Sequence, residues 1–243
     1  FWIDPAQYEH STAKGYDVLT AEEVLAEQLK RAARQYAPLI LTRDATKQLL
    51  DELRRRAPAV VDELVPNIMS LGQVQGILKT LLEEEISIRP LELILETLGD
   101  NARLIGSPWE LVEKVRLRLS RHIATRLVDP DSGTVLVYSI DESLQDRIAC
   151  GFERTEKEIR IGLPKELISS LVGALEGASV KMAAAGYRPV LLVNQNIRPV
   201  MAELLRDSQP RIHVIGNREI QGAEAQVLGE VTLEHLQVSR PAA

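Results

Sequence analysis

Four histidines, one cysteine, a run of three glutamates and a few arginines are the residues in this chain able to do chemistry. His10, His122, His213 and His235 could ligate a metal or move a proton near neutral pH. None stands four residues from another, and none has a Cys or acidic partner at ligand spacing. They read as surface or half-buried polar residues. Cys150 is the single cysteine, which excludes an intrachain disulfide and a multi-Cys zinc site. It lies beside Ile148 and Phe152 on a helical pattern and is expected to be a buried, inert thiol. Glu83, Glu84 and Glu85 could do acid–base work only if burial pushed their pKa values apart. At the polar end of a helix they read as a solvated face. Gly216 to Gly222 follows a strand but lacks the inner glycines that bring amides onto a pyrophosphate. Asp129, Asp131 and Gly133 imitate the start of a calcium loop without its downstream acid, and read as a linker turn. Arg116, Arg118 and Arg121 form a modest stripe that could meet an acidic neighbour or balance local acids. Asn194 and Asn196 follow an apolar strand, where an α/β enzyme would bind a small molecule, although Asn194 reads more simply as a helix cap.

Composition narrows the classes further. In 243 residues there are 29 Lys+Arg and 35 Asp+Glu, a formal charge of −6. Such a chain lacks the basic face a general nucleic-acid binder needs. Aromatics are 4% and hydrophobics 45%, so the core is built from Leu, Ile, Val and Ala, with few platforms for stacking bases or sugars. No cofactor and no metal is expected. No apolar run approaches the roughly 20 residues of a membrane span. A reducing compartment fits the single cysteine. The chain opens at Phe1-Trp2-Ile3 without an initiator Met, which reads as a piece of something longer.

The elements that would position these residues come in two kinds. Asp4-Pro5 starts a helix that stops near Gly15, and Tyr16 to Leu19 is a strand or extended link. Thr20 to Glu23 is a capping box, followed by an apolar stripe of Val24, Leu25, Leu29, Ala32, Ala33 and Tyr36, broken at Pro38. Residues 40–125 read as an all-helical bundle. Thr42 caps a helix with Leu49, Leu50 and Leu53 inward, Pro58 opens a short one, and Ser70 to Gln73 is a second box. Pro90 opens another helix, and Ser107 to Glu110 is a third box before a long helix reaching Ile123. After the turn at Asp129–Gly133 the grammar changes. Strands at Thr134–Tyr138, Glu158–Ile161, Arg188–Val193, Arg211–Ile215 and, at an edge, Ala225–Leu233 alternate with helices at Glu142–Phe152, Pro164–Ala185 and Ile197–Asp207. The tail Ser239 to Ala243 reads as frayed. The fold class is α+β with several subdomains: a helical bundle followed by an α/β part with a small open sheet.

Several segments, taken in order, carry a resemblance. They are Trp2-Ile3-Asp4-Pro5 with Gly15-Tyr16, Leu64-Val65-Pro66 with Ser70 to Leu78, and Ser87-Ile88-Arg89 with Ile94 to Leu98. Further on come Val115-Arg116 with Leu119 to Ile123, Pro189 to Asn194 with Ile197-Arg198-Pro199, and Val214 to Ile220. Together they resemble the cytoplasmic domain of the large export-gate protein of bacterial type III secretion, in flagella or injectisomes. The resemblance implies a non-catalytic docking platform on the cytoplasmic face of the inner membrane, attached through an N-terminal membrane region outside this sequence. It implies a nonameric ring below the export channel, binding to chaperone–substrate complexes, and contact with components of the export ATPase complex. It divides the chain into residues 1–39, the end of two earlier subdomains; 40–122, a helical subdomain; and 123–243, the α/β subdomain. Tyr16 and Glu27 fall at the chaperone-binding region. Glu27-Gln28-Leu29 stands where flagellar members carry Thr-His-Leu, and this puts groove binding at Glu27 in question. Pro90 replaces the Asp of the family's Ser-Ile-Arg-Asp. Arg89, Glu96 and Arg116 are expected at the ring interface. The competing readings are a small-molecule-binding α/β enzyme domain and a free-standing adaptor.

Overall fold

The computed structural model describes residues 2–16, 18–154, 159–220, 222–232 and 234. Glu158, Leu233, His235 and the tail from Ser239, all named above, lie outside the described residues. Asp4 caps a 3₁₀ turn at Pro5–Gln7, accepting from the Ala6 amide at 2.8 Å, and α1 (Tyr8–Ala13) follows. Residues 18–20 are extended, without a strand. The capping box then starts α2 (Ala21–Ile40) as expected: the Glu23 amide donates to Thr20 Oγ1 at 3.3 Å, and Glu23 Oε2 accepts from the Thr20 amide at 2.8 Å. Two expectations for α2 are corrected. It runs through Pro38, because a proline in the last turn forfeits only one i→i−4 bond of a helix about to end. Its apolar stripe is not core, since α2 has no buried residue.

Helices α3 (Arg43–Arg54), α4 (Pro58–Leu64), α5 (Leu71–Glu83), α6 (Leu91–Asn101), α7 (Pro108–Arg118) and α8 (Ser120–Leu127) form the expected bundle. Leu50, Leu53, Leu78, Leu95 and Val115 are buried in its centre, whereas Leu49, expected inward, is 38% exposed. The second capping box is present, with the Gln73 amide donating to Ser70 Oγ at 3.3 Å. The third is not: Ser107 precedes α7 but its hydroxyl is buried without a partner among the described residues. The long helix expected from Pro108 to Ile123 divides at Leu119 into α7 and α8.

The second part is a parallel sheet of β1 (Val135–Ile140), β4 (Val190–Val193), β5 (His213–Gly216) and β6 (Ala225–Val231), in the order β5-β4-β1-β6. An antiparallel pair, β2 (Phe152–Arg154) and β3 (Ile159–Ile161), stands apart from it. Parallel strands covered on both faces must be apolar on both, and these are. Val135, Val137, Val190 and Ile215 pack on the bundle. Ile140, Leu191, Val193 and Val214 pack on the opposite layer, built from α9 (Glu142–Cys150), α10 (Lys165–Ala184) and α11 (Arg198–Leu204). Helix α10 is long and apolar enough to cross a membrane by length and composition, contrary to the expectation that no segment is. Its Leu167, Leu171 and Leu175 are instead buried against the sheet. Cys150 closes α9 and is exposed, which corrects the expected buried thiol. The periodicity of α9 places Leu144 and Ile148 inside and leaves position 150 on the outer face.

Candidate functional site

The strongest electrostatic feature lies where the bundle meets the sheet. Arg116 falls on the buried stripe of α7, one turn after Val112 and next to Val115. Its fork closes on Glu219, in the turn after β5: Nε donates to Oε1 and Nη2 to Oε2, both at 2.7 Å. Its Nη1 donates to Glu84 Oε2 at 2.5 Å and Nη2 to the Val214 carbonyl at 3.2 Å. Arg198, at the start of α11, binds Glu113 of α7 through Nε at 2.8 Å and through Nη2. Its Nη1 donates to Glu84 Oε2 at 2.7 Å. Glu84 therefore bridges two guanidiniums. Gln195 donates to Glu113 at 2.9 Å, and the Gly216 amide donates to Glu219 at 3.0 Å. A Cβ at Gly216 would stand 2.1 Å from Gln195 Oε1, so any larger residue there requires the Gln195 side chain to move.

Both arginines are 2% exposed at the side chain and Glu219 is 0% exposed. Buried ions survive only when paired and fully hydrogen-bonded. Burial alone would raise the Glu84 carboxyl, but Arg198 and Arg116 overcome it and hold Glu84 below the usual carboxylate range. Burial and Arg198 pull Arg116 down, and Glu219 and Glu84 more than restore it, so its pKa lies above the ordinary value. Arg198 is likewise raised against its burial by Glu84 and Glu113. A permanently protonated guanidinium offers no proton, and a carboxylate held ionised is a poor general acid. The network is a joint that ties the bundle to the turn after β5 and to the start of α11.

This corrects two expectations. Glu84 is not part of a solvated acidic face, because the end of α5 points it into the joint. Arg116 is not on a surface where a neighbouring copy could reach it. The signal for Arg116 was its place at the 112–115–116–119 spacing of the α7 stripe. Glu113, Arg198 and Glu219 carried no comparable signal, since their partners lie 103 residues away for Arg116–Glu219 and 85 for Glu113–Arg198.

The other singled-out residues are peripheral. Tyr16 is 67% exposed in the extended link. Glu27 on α2 pairs with Lys30 at 2.5 Å, and that hydrogen bond lowers its carboxyl pKa. Arg89 and Glu96 are exposed beside and on α6. Among the described residues no hydrogen bond or ion pair joins these four to one another. Helix α2 shows Leu25 70%, Leu29 69% and Leu39 73% exposed, an apolar face with nothing described against it. Asn194 is not a helix cap: the residue before α11 is Ile197, and the Asn194 amide donates to Gln145 Oε1 at 2.7 Å. No group of three His, Cys, Asp or Glu among the described residues is arranged to hold a metal.

Comparison with known proteins places this arrangement. Flagellar biosynthesis protein FlhA of Yersinia enterocolitica is 32% identical over 219 residues, 90% of this chain and 31% of that protein. The chain therefore spans about a third of the curated relatives it matches. The Shigella flexneri MxiA structure has a TM-score of 0.77 at 29% identity, covering 89% of this chain and 71% of that one. The nonameric EscV cytosolic domain from the type III secretion system has a TM-score of 0.73 at 25% identity, covering 87% of this chain and 62% of that one. The FHIPEP family model matches residues 1–225, from the first helix through the joint to the start of the last strand, and the chain belongs to the FHIPEP family.

Proposed function

We propose that this chain is a cytoplasmic docking platform of a type III export gate at the inner membrane, that copies of it form a ring, and that it performs no catalysis. The observation that carries the reading is a division of labour. The strongest charges are consumed in the buried joint, while a 20-residue helix offers an unpaired apolar face. A helix-in-groove or helix-on-helix partner fits such a face. Chaperone–substrate complexes are the proposed partners there, with Tyr16 and Glu27 at the edge, and export ATPase complex components dock elsewhere on the platform. The relation to nonameric EscV supports the ring, to which the exposed Arg89 and Glu96 are assigned. The subdomain limits at 39 and 122 belong to the same proposal.

Calorimetric titration with a chaperone–substrate complex tests the docking face. The Leu25→Glu/Leu29→Glu double variant is expected to weaken binding about tenfold or more. Unchanged affinity would remove α2 from the proposal. Charge reversal of Arg89 and Glu96 is expected to reduce ring assembly on membranes. The enzyme reading gains only if a common nucleotide or metal raises Tm clearly.

A further inference from the structure

Beside the joint, cations gather with little to neutralise them. Arg126, Arg188, Arg211 and His213 line a cavity of about 60 Å³. A neighbouring groove of about 370 Å³ shares Glu85, Ile86, Ser87 and Arg126 with that cavity and adds Arg34 and Arg89. The arginines are held by neutral groups. Arg126 Nη1 donates to the Glu85 carbonyl at 2.6 Å, and Arg188 Nη1 to the Arg126 carbonyl at 2.8 Å. Arg211 Nη1 donates to the Arg206 carbonyl at 2.7 Å, and its Nη2 to the Glu83 carbonyl. Carbonyls at helix ends orient a guanidinium but carry no net charge. Glu84 also lines the cavity, yet it already serves Arg116 and Arg198. Among the described residues lining the cavity that leaves Glu85, with its Oε2 3.9 Å from His213 Nε2. Burial, Arg34 and Arg188 together push Arg126 below the usual arginine range, as expected for crowded like charges.

The backbone of Glu85 adds a second observation. Its φ is +57°, in the left-handed region that favours glycine. A side chain there is strained. That conformation sets the Glu85 carboxylate among the cations and its carbonyl on Arg126. The floor of the groove, with Ala37, Leu82 and Ile86, is apolar, and it is larger than one small oxyanion needs.

We infer that this cleft receives an acidic peptide segment of a partner protein, whose carboxylates pair with Arg34, Arg126 and Arg188, and that Glu85 occupies one carboxylate position in the free chain. Carboxylates bind guanidinium forks in two-pronged fashion, and an extended segment supplies both the charge and the apolar contacts of the floor. This surface is separate from the outer apolar face of α2, so the inference stands whether or not chaperones dock there.

The test is fluorescence anisotropy with a labelled peptide of about eight alternating Glu and Leu residues at roughly 50 mM salt. Binding is expected, weakening as salt rises. Arg34→Gln, at an exposed position that leaves the core untouched, and Arg188→Gln are each expected to weaken it severalfold, and together about tenfold or more. Glu85→Gln is expected to strengthen it severalfold, with unchanged far-UV circular dichroism in all variants. Absence of binding, or affinity indifferent to the arginine changes, overturns the inference. So does displacement by inorganic phosphate at concentrations comparable to the peptide's, which would mark a bare oxyanion site. Salt-sensitive self-association abolished by the same changes would give the cleft to a second copy and overturn it equally.

Discussion

Glu85 and Gly186 occupy the same place at two helix ends. After α5 the Ile86 amide donates to the Leu81 carbonyl at 2.8 Å and the Glu85 amide to Leu82 at 2.9 Å. After α10 the Tyr187 amide donates to Met182 at 2.9 Å and the Gly186 amide to Ala183 at 3.0 Å. Both are Schellman ends, which want a glycine at the left-handed position. One has it, at φ +84°, and the other has a glutamate at +57°. Glu85→Ala removes the carboxylate and keeps the strain, whereas Glu85→Gly removes both. The glycine variant is expected to be more stable than the alanine variant by about 1 kcal/mol in urea unfolding. His213 makes a pH prediction at the same scale. Burial lowers its pKa; Glu85 opposes this, and Arg188, Arg211 and Arg126 add to it. The folded value lies below the unfolded one, so the unfolded chain takes up the proton first. The contribution is present above about pH 6.5 and is lost as pH falls below that through the folded value. Urea midpoints are expected to drop from pH 7.5 to 5.5, and His213→Gln to flatten that drop. Glu84, depressed from an ordinary value of 4.5, weakens the protein only at still lower pH.

At the scale of elements, α2 and α5 show how burial and helix formation separate. Both begin with complete capping boxes and both are regular. Helix α5 buries Val74, Ile77, Leu78 and Leu81, while α2 buries nothing. Most helical stability in proteins comes from packing an apolar face rather than from propensity. Hydrogen exchange of this chain is therefore expected to show α2 amides exchanging far faster than those of α5. A partner on the outer face should slow α2 specifically. Equal protection of the two helices in the free chain would contradict the exposed stripe.

The described residues form three layers, bundle, sheet and outer helices, with the charge network tying the bundle to the turn after β5 and to the start of α11. The turn at Asp129–Gly133 connects them: the Asp129 amide donates to the Thr134 carbonyl at 2.8 Å, and its side chain accepts from the Ser132 amide at 2.9 Å. It reads from sequence as a linker turn, and Val135, Val137 and Val190 continue the bundle's own core across it. Free rotation there would expose that apolar surface and break the joint. Arg198→Ala leaves Glu84 and Glu113, 18% and 13% exposed at the side chain, short of a partner in a largely buried site. It is expected to cost about 3–5 kcal/mol in equilibrium unfolding. A cost below 1 kcal/mol would show that the joint is not closed in solution.

Read alone, the sequence assigned most of the helices and the four strands of the parallel sheet, because apolar spacing, capping residues and glycines act within a few residues of one another; it ran α9 on through Phe152 and so missed β2. It located the Thr20 and Ser70 boxes, the Gly186 stop, the bundle and the edge position of β6. Ordered local patterns also sufficed for the family resemblance, since that too is a property of the linear chain. The tertiary structure alone decided which charges are buried. Arg116 and Glu84 looked like surface residues because their partners arrive from α11 and from the turn after β5, far along the chain. It likewise decided that the stripe of α2 faces outward, that α10 packs against the sheet, and that Cys150 is exposed. Burial depends on what another part of the chain brings alongside, and no local pattern contains that.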